Sequence, residues 1–177
     1  MRLSLLRLWL AATLAASLFS VSCGSEERKY PVRTYNMGER IQLGHIVYLV
    51  FETQWMTHIG DGPEARVPQN RFFLIRLSAV NSSNQDVSVP AFSIQDDSGN
   101  TYNEISDGTG VPQWISYLRT VKPAESAQGN ALFDAPPRRY KLKIQDEDGE
   151  RTALIDIPLN FGAETPDIIQ TPEKKEK

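Results

Sequence analysis

Two neighbouring segments near the C-terminus alternate apolar and polar residues with a period of two. Apolar side chains occupy every second position of 153–161, and the same holds for 140–145. Alternation of this kind is typical of β-strands with one buried face. Between the two segments, Asp148-Gly149 supplies the positive φ values that a tight hairpin turn needs. The pattern therefore predicts two antiparallel strands joined by a short turn.

The rest of the central region shows the same organisation. Further short apolar runs, separated by turn residues, occupy 47–55, 72–80, 87–95, 101–105, 114–121 and 130–133. The run at 72–80 begins apolar on both faces, as expected of a central strand. After the first 22 residues, no segment carries the apolar stripe of an amphipathic helix. Seven to eight short strands with frequent turn signals predict an all-β fold, an antiparallel sandwich of two sheets.

The N-terminus has the layout of a secretory signal peptide. A short basic stretch ends at Arg7, an apolar run covers 8–21, and small residues surround Cys23, the only cysteine of the chain. This layout resembles the lipobox of bacterial lipoproteins, in which the cysteine is acylated and the preceding segment is removed. The leucine usual three residues before the cysteine is replaced here by Ser20. Lipidation is the favoured interpretation, and an ordinary secreted protein or an uncleaved anchor are the alternatives.

Lipidation of Cys23 would decide where the protein resides. The resemblance implies three acyl chains of the palmitate type, whereas a single chain contributes only marginal binding at ~0.8 kcal/mol per buried CH₂. With its one thiol acylated, the mature chain would contain no disulfide. Gly24 replaces the aspartate that signals inner-membrane retention in many Gram-negative lipoproteins. We therefore expect an exported protein, lipid-anchored to the cell envelope, and in the outer membrane if the organism is Gram-negative.

Composition divides the chain into a signal peptide at 1–22, a flexible tether at 23–37, a β-sandwich domain at 38–161 and a disordered tail at 162–177. The fourteen residues between Cys23 and the domain would span about 20 Å as a flexible coil. About 125 residues remain for the core, enough for one domain. Removing the two signal-peptide arginines lowers the formal net charge from −3 to about −5, which argues against nucleic acid as a partner.

Three stretches of the core carry a family resemblance. These are the central strand running into Asn81-Ser82-Ser83, the turn Asp97-Ser98-Gly99-Asn100-Thr101-Tyr102, and Lys122-Pro123 followed by Gly129-Asn130-Ala131-Leu132-Phe133-Asp134-Ala135-Pro136. In these stretches the chain resembles bacterial extracellular lipoproteins that share a domain of unknown function, related to the mycobacterial immunoprotective extracellular proteins. The resemblance implies a telokin-like, immunoglobulin-like fold and brings no catalytic residues. Ala124 stands where the family has a glycine after the proline.

Candidate sites for chemistry are few. His58, Asp61 and Glu64 share one loop, and such a trio could ligate a metal or act as an acid–base set, although its spacing matches no established pattern. The acidic runs at 96–100 and 146–150 contain alternating oxygen ligands suited to calcium, but hairpin turns explain the same residues. His45 is interpreted as a turn residue. We therefore expect no catalytic residue, no metal site and no cofactor.

Aromatic residues near strand ends are the remaining candidates for binding. Trp114 and Tyr117 lie three residues apart and could anchor a protein or sugar ligand, although core or rim packing is the more common role. The sequence thus favours a non-enzymatic interaction domain, tethered to the membrane through Cys23 and contacting another envelope protein or an extracellular ligand. The alternative is a small envelope metal-binding protein or hydrolase using the His58 loop, and a third interpretation is a spacer without a ligand.

Overall fold

The computed structural model describes residues 30–160. This part of the chain contains eleven strands and one 3-10 turn, connected by loops. The strands are β1 (Arg33–Asn36), β2 (Ile41–Leu43), β3 (Ile46–Met56), β4 (Arg71–Asn81), β5 (Val87–Val89), β6 (Ser93–Gln95), β7 (Thr101–Asn103), β8 (Arg119–Val121), β9 (Ser126–Ala135), β10 (Tyr140–Gln145) and β11 (Thr152–Ile157). The predicted signal peptide, Cys23 and the tail at 162–177 lie outside the described residues. Residues 30–160 include no helix that is long and apolar enough to cross a membrane.

The strands form two main sheets and a two-stranded ribbon. One sheet has the order β1-β11-β10-β6-β7, the other has the order β2-β3-β4-β9, and β5 pairs with β8. The parallel pair β1–β11 is an exception to the antiparallel pairing of the other strands described. The predicted all-β, immunoglobulin-like sandwich with its β10–β11 hairpin is confirmed.

The strand number exceeds the predicted seven to eight because β1 and β2 were not predicted and because one predicted strand is divided in two. The segment 87–95 breaks at Pro90, which cannot donate a ladder hydrogen bond, into β5 and β6. The predicted strand 114–121 keeps only its last three residues, since Gln113 and Ser116 have φ values of 47° and 69°. Those values turn the backbone out of the extended region.

The core lies between the two sheets and follows the predicted alternation. Ala153, Ile155 and Ile157 of β11 are buried against apolar residues of the facing sheet. Trp55 packs against this core and stacks on Phe73, with the ring centroids 4.1 Å apart. A smaller apolar cluster covers the outer side of β4 and β9; it consists of Ile59, Phe72, Leu74, Val111 and Leu132.

The ordered domain begins earlier than the predicted boundary at Gly38. Residues Arg33–Asn36, assigned from sequence to the flexible tether at 23–37, form β1 along the edge of β11. The strand is mostly exposed and only Tyr35 packs against the core, so the sequence lacks the apolar alternation that would have revealed it. Backbone pairing with residues more than a hundred positions away holds it in place, and this long-range pairing has no local signal.

A buried ion pair lies inside the sandwich. Arg119 Nη2 is 2.7 Å and 2.6 Å from the two carboxylate oxygens of Glu104, and the side chains are 2% and 0% exposed. The Phe92 backbone N–H also donates to Glu104, at 2.9 Å. The Arg119 guanidinium carbon lies 4.3 Å from the centroid of the Phe92 ring. Desolvation raises the pKa of Glu104, although Arg119 and the Phe92 N–H oppose this shift.

In the turn before β9, Ala124 adopts the left-handed conformation that the family's glycine would adopt. The Glu125 N–H donates to the Lys122 carbonyl at 3.0 Å, and Ala124 has a φ of 61°. Proline at the second position and positive φ at the third are the features of a type II turn. The Ala124 departure therefore leaves the geometry of the turn intact, at the cost of a strained alanine.

Candidate functional site

The structure does not assemble the His58 loop into a metal site. Asp61 precedes the 3-10 turn Gly62–Glu64, and all three candidate side chains of the loop are exposed. His58 Nδ1 lies 3.0 Å from Oγ1 of its neighbour Thr57. Within residues 30–160, no three His, Cys, Asp or Glu side chains are close enough to share a metal ion. Within the described residues, the metal-binding alternative at this loop therefore has no geometric support, and the hydrolase alternative stays a prediction.

Both acidic runs are hairpin turns whose first aspartate is used internally. Asp96 Oδ1 accepts the backbone N–H groups of Ser98 and Asn100 at 3.0 Å and 2.9 Å, and Asp96 Oδ2 accepts the Asn100 side-chain amide at 2.9 Å. The Asn100 side chain is the main reason that the pKa of Asp96 lies below its usual range. Asp146 accepts the Arg151 N–H at 3.1 Å in the equivalent turn. The carboxylates of Asp96 and Asp146 therefore serve to close their turns.

His45, interpreted from sequence as a turn residue, is paired with Glu147 across the two sheets. Its backbone N–H lies 3.1 Å from Glu147 Oε2, and its Nδ1 contacts Glu147 Oε1. The carboxylate can approach only because residue 44 is glycine, since a Cβ at Gly44 would lie 2.5 Å from Glu147 Oε2. Desolvation would raise the pKa of Glu147, but hydrogen bonds from its own backbone N–H and from His45 outweigh it and lower the pKa.

An open, polar cleft of about 460 Å³ lies beside this pair. Its walls are residues 83–88, from the loop before β5 and the first two residues of that strand, and the turn of the β10–β11 hairpin. The buried side chain of Asn81 fixes the base of the loop, because its Nδ2 donates to the carbonyls of Gln85 and Val121 at 2.6 Å and 2.8 Å. The sequence had no signal for this cleft, because 102 residues separate His45 from Glu147.

Trp114, a predicted binding residue, is half-buried and packs within the domain. Its indole lies against Gly108, where a Cβ atom would be 1.9 Å from Trp114 Cδ2. It packs against the smaller apolar cluster, and its Nε1 is buried without a hydrogen-bond partner in the described part of the chain. Backbone bonds join the segment to β9, with Ile115 N–H donating to the Asn130 carbonyl at 3.2 Å. The position of Trp114 is thus fixed by packing, and ligand contact by this residue stays a prediction.

The backbone around Trp114 is strained at two positions. We call residues 113–118 the Trp114 loop. Within it, Gln113 and Ser116 have positive φ, a conformation that is unfavourable for residues other than glycine. Tyr117 is half-buried, and ligand contact by it also stays a prediction, whereas Leu118 is 87% exposed. Immediately after the loop, Arg119 is locked in the buried ion pair. A strained backbone held at both ends therefore presents a leucine to the solvent.

Solved structures of other bacterial proteins share this fold. The yjhA protein from Bacillus subtilis is 13% identical, with a TM-score of 0.55 over 70% of this chain and 98% of that chain. The secreted protein MPT63 from Mycobacterium tuberculosis is 16% identical, with a TM-score of 0.53 over 72% and 98%. A functionally unknown protein from Listeria monocytogenes EGD-e is 11% identical, with a TM-score of 0.53 over 71% and 84%. At such identities the likeness concerns the fold alone.

No curated protein matches the sequence. A family model does: residues 35–153 match the family described as "Domain of unknown function (DUF4352)". The match begins within β1 and ends within β11, so it includes all of β2 to β10. The chain therefore belongs to the DUF4352 family, in agreement with the resemblance inferred from the sequence.

Proposed function

We propose that this protein is an exported lipoprotein, anchored through Cys23, whose β-sandwich binds another protein of the cell envelope without catalysing a reaction. The Trp114 loop is the docking element, and Leu118 is its central contact. The anchor rests on the layout of residues 1–23, and the extracytoplasmic site agrees with the secreted nature of MPT63, which shares the fold.

The exposure of Leu118 on a strained loop is the observation that carries this proposal. A leucine side chain kept in water forgoes roughly 1.5–3 kcal/mol of burial free energy, and positive φ at two non-glycine residues adds further cost. Backbone strain of this kind clusters at functional sites, and an exposed apolar side chain on such a loop is suited to contact with a protein partner. Tyr117 beside it adds aromatic contact area.

In-cell crosslinking of the tagged protein, with mass spectrometry of the captured proteins, tests the proposal. Leu118→Ser should reduce recovery of the main partner at least tenfold, because an interface anchor contributes about 2 kcal/mol. Val67→Ser is the matched control, since Val67 is also an exposed aliphatic residue, 77% exposed, in another loop. Equal recovery from Leu118→Ser and the unchanged protein would contradict docking at the Trp114 loop.

The anchor is tested separately by Cys23→Ser. This change should release the protein from the membrane fraction or leave an uncleaved precursor, because no thiol remains to be acylated. Unchanged membrane association at the mature size would contradict lipidation at Cys23.

A further inference from the structure

The chain enters the sandwich at one end of the molecule. The Tyr30 ring lies 4.5 Å from the guanidinium carbon of Arg151, in the turn between β10 and β11. Three residues later, Arg33 pairs with Ala153, and β1 then runs parallel to β11 up to Asn36 opposite Asp156. The entry point is therefore at the β10–β11 turn, and the strands lead away from it.

Two equivalent turns mark the opposite ends of the same sheet. We call the end with the turn 146–151 the near end; it also carries His45, through its contact with Glu147, and the loop 82–86. The end with the turn 96–100 between β6 and β7 is the far end, where Arg138 bonds Asp96 at 2.8 Å. Six residues of β10 separate the two ends, which corresponds to about 20 Å at ~3.4 Å per residue.

We infer that the near end faces the bilayer and the far end points away from it. This inference rests on the proposed anchor at Cys23. Only seven residues lead from Cys23 to Tyr30, half of the predicted tether, and their covalent reach is at most about 25 Å. The far end could meet the bilayer only with this segment almost fully extended and the domain folded back along it. With a less extended segment, the near end stays close to the bilayer and the far end cannot meet it end-on, so chain entropy favours the near end.

This orientation decides which surfaces a partner can reach. The polar cleft beside His45 and Glu147 opens at the near end, towards the membrane. The last residue of β8, Val121, is bonded to Asn81 at that end, so Leu118 lies three residues farther away, or about 10 Å. The Trp114 loop is thus presented sideways from the membrane, where a neighbouring envelope protein can approach it.

Energy transfer from labelled cysteines to acceptor-labelled headgroups tests the orientation. Asp148→Cys places a label at the near end and Ser98→Cys at the far end, and both exposed residues directly precede the glycine of equivalent turns. With Cys23 acylated, each variant offers a single thiol. The lipidated proteins are purified and reconstituted into phosphatidylethanolamine–phosphatidylglycerol vesicles. We expect stronger transfer from position 148 than from position 98.

Equal transfer from the two positions, or stronger transfer from position 98, would overturn the orientation. Inserting twenty Gly/Ser residues after Ser25 should reduce the difference, because a long tether no longer restricts rotation of the domain; an undiminished difference would overturn the argument from tether length. Vesicle binding is measured first. Failure of the Cys23-containing protein to bind vesicles, or binding by Cys23→Ser, would refute the anchor itself and is thereby distinguished from failure of the orientation.

Discussion

The ion pair between Glu104 and Arg119 should be the most sensitive polar contact of the domain. Arg119→Met removes the guanidinium and keeps much of the apolar stem. Glu104 then remains with 0% of its side chain exposed and keeps the hydrogen bond from the Phe92 N–H. Removing one partner of a buried pair costs about 3–5 kcal/mol, because the charge left behind is neither solvated nor paired. We expect a loss of about 4 kcal/mol at neutral pH.

A double-mutant cycle isolates the interaction free energy between Glu104 and Arg119 from the other effects of each substitution. Glu104→Gln alone leaves Arg119 charged and buried, with Nη1 already lacking a partner within residues 30–160, and should cost about 3 kcal/mol. In the double variant neither charge remains, and the Gln oxygen can still accept the Phe92 N–H. Its cost should be at least about 2 kcal/mol smaller than the sum of the single changes, as expected for directly contacting residues.

Urea unfolding of the unlipidated chain, carrying Cys23→Ser, measures these changes in the free energy of unfolding. Arg139→Met is the control, because Arg139 also bonds a carboxylate, Asp156, at 2.9 Å but is 61% exposed. That surface pair should contribute less than about 1 kcal/mol. Additive single changes, or a cost of Arg119→Met no greater than that of Arg139→Met, would refute the reasoning.

The cost of Arg119→Met should also depend on pH. Without Arg119, desolvation raises the pKa of Glu104 further in the folded state, so the folded chain binds a proton that the unfolded chain has released. The contribution of Glu104 to the stability of the variant should therefore be fully present below the ordinary glutamate pKa of about 4.3 and be lost as the pH rises through the raised value. A cost independent of pH between 4 and 7 would show that Glu104 stays ionised.

Three further changes follow from backbone geometry and charge. Ala124→Gly should stabilise the domain by roughly 0.5 kcal/mol in urea unfolding, because relief of the left-handed strain of about 1–2 kcal/mol exceeds the entropy cost of glycine; destabilisation would contradict this. Gly108→Ala should lower the melting temperature by several degrees and alter Trp114 fluorescence, because its Cβ would overlap the indole; an unchanged spectrum would place the indole elsewhere. Glu147 has a lowered pKa, so its contribution is present above pH about 4.3 and lost as the pH falls through the lowered value. The stability difference between the unchanged chain and Glu147→Gln should therefore shrink below pH 4, and a constant difference would exclude the His45 contact as its source.

Much of the fold follows from local sequence patterns. Alternation at 140–145 and 153–157 predicted β10 and β11 with the correct buried faces, because side chains of a strand point alternately to its two sides. Turn chemistry at Asp148-Gly149 and Ser98-Gly99 predicted both hairpins, since glycine there takes the positive φ that other residues resist. The motifs at 72–81 and 122–136 carried the family resemblance, which the family match confirms.

Only the tertiary structure decided where the sandwich begins and which polar residues meet. β1 depends on backbone pairing with β11, and the contacts Glu104–Arg119 and His45–Glu147 join residues 15 and 102 positions apart. Periodicity records which face of a strand is buried, because burial is repeated at every second residue. Single contacts between distant polar side chains repeat nowhere along the chain. Such contacts form only when the two sheets pack together, so no local sequence pattern predicts them.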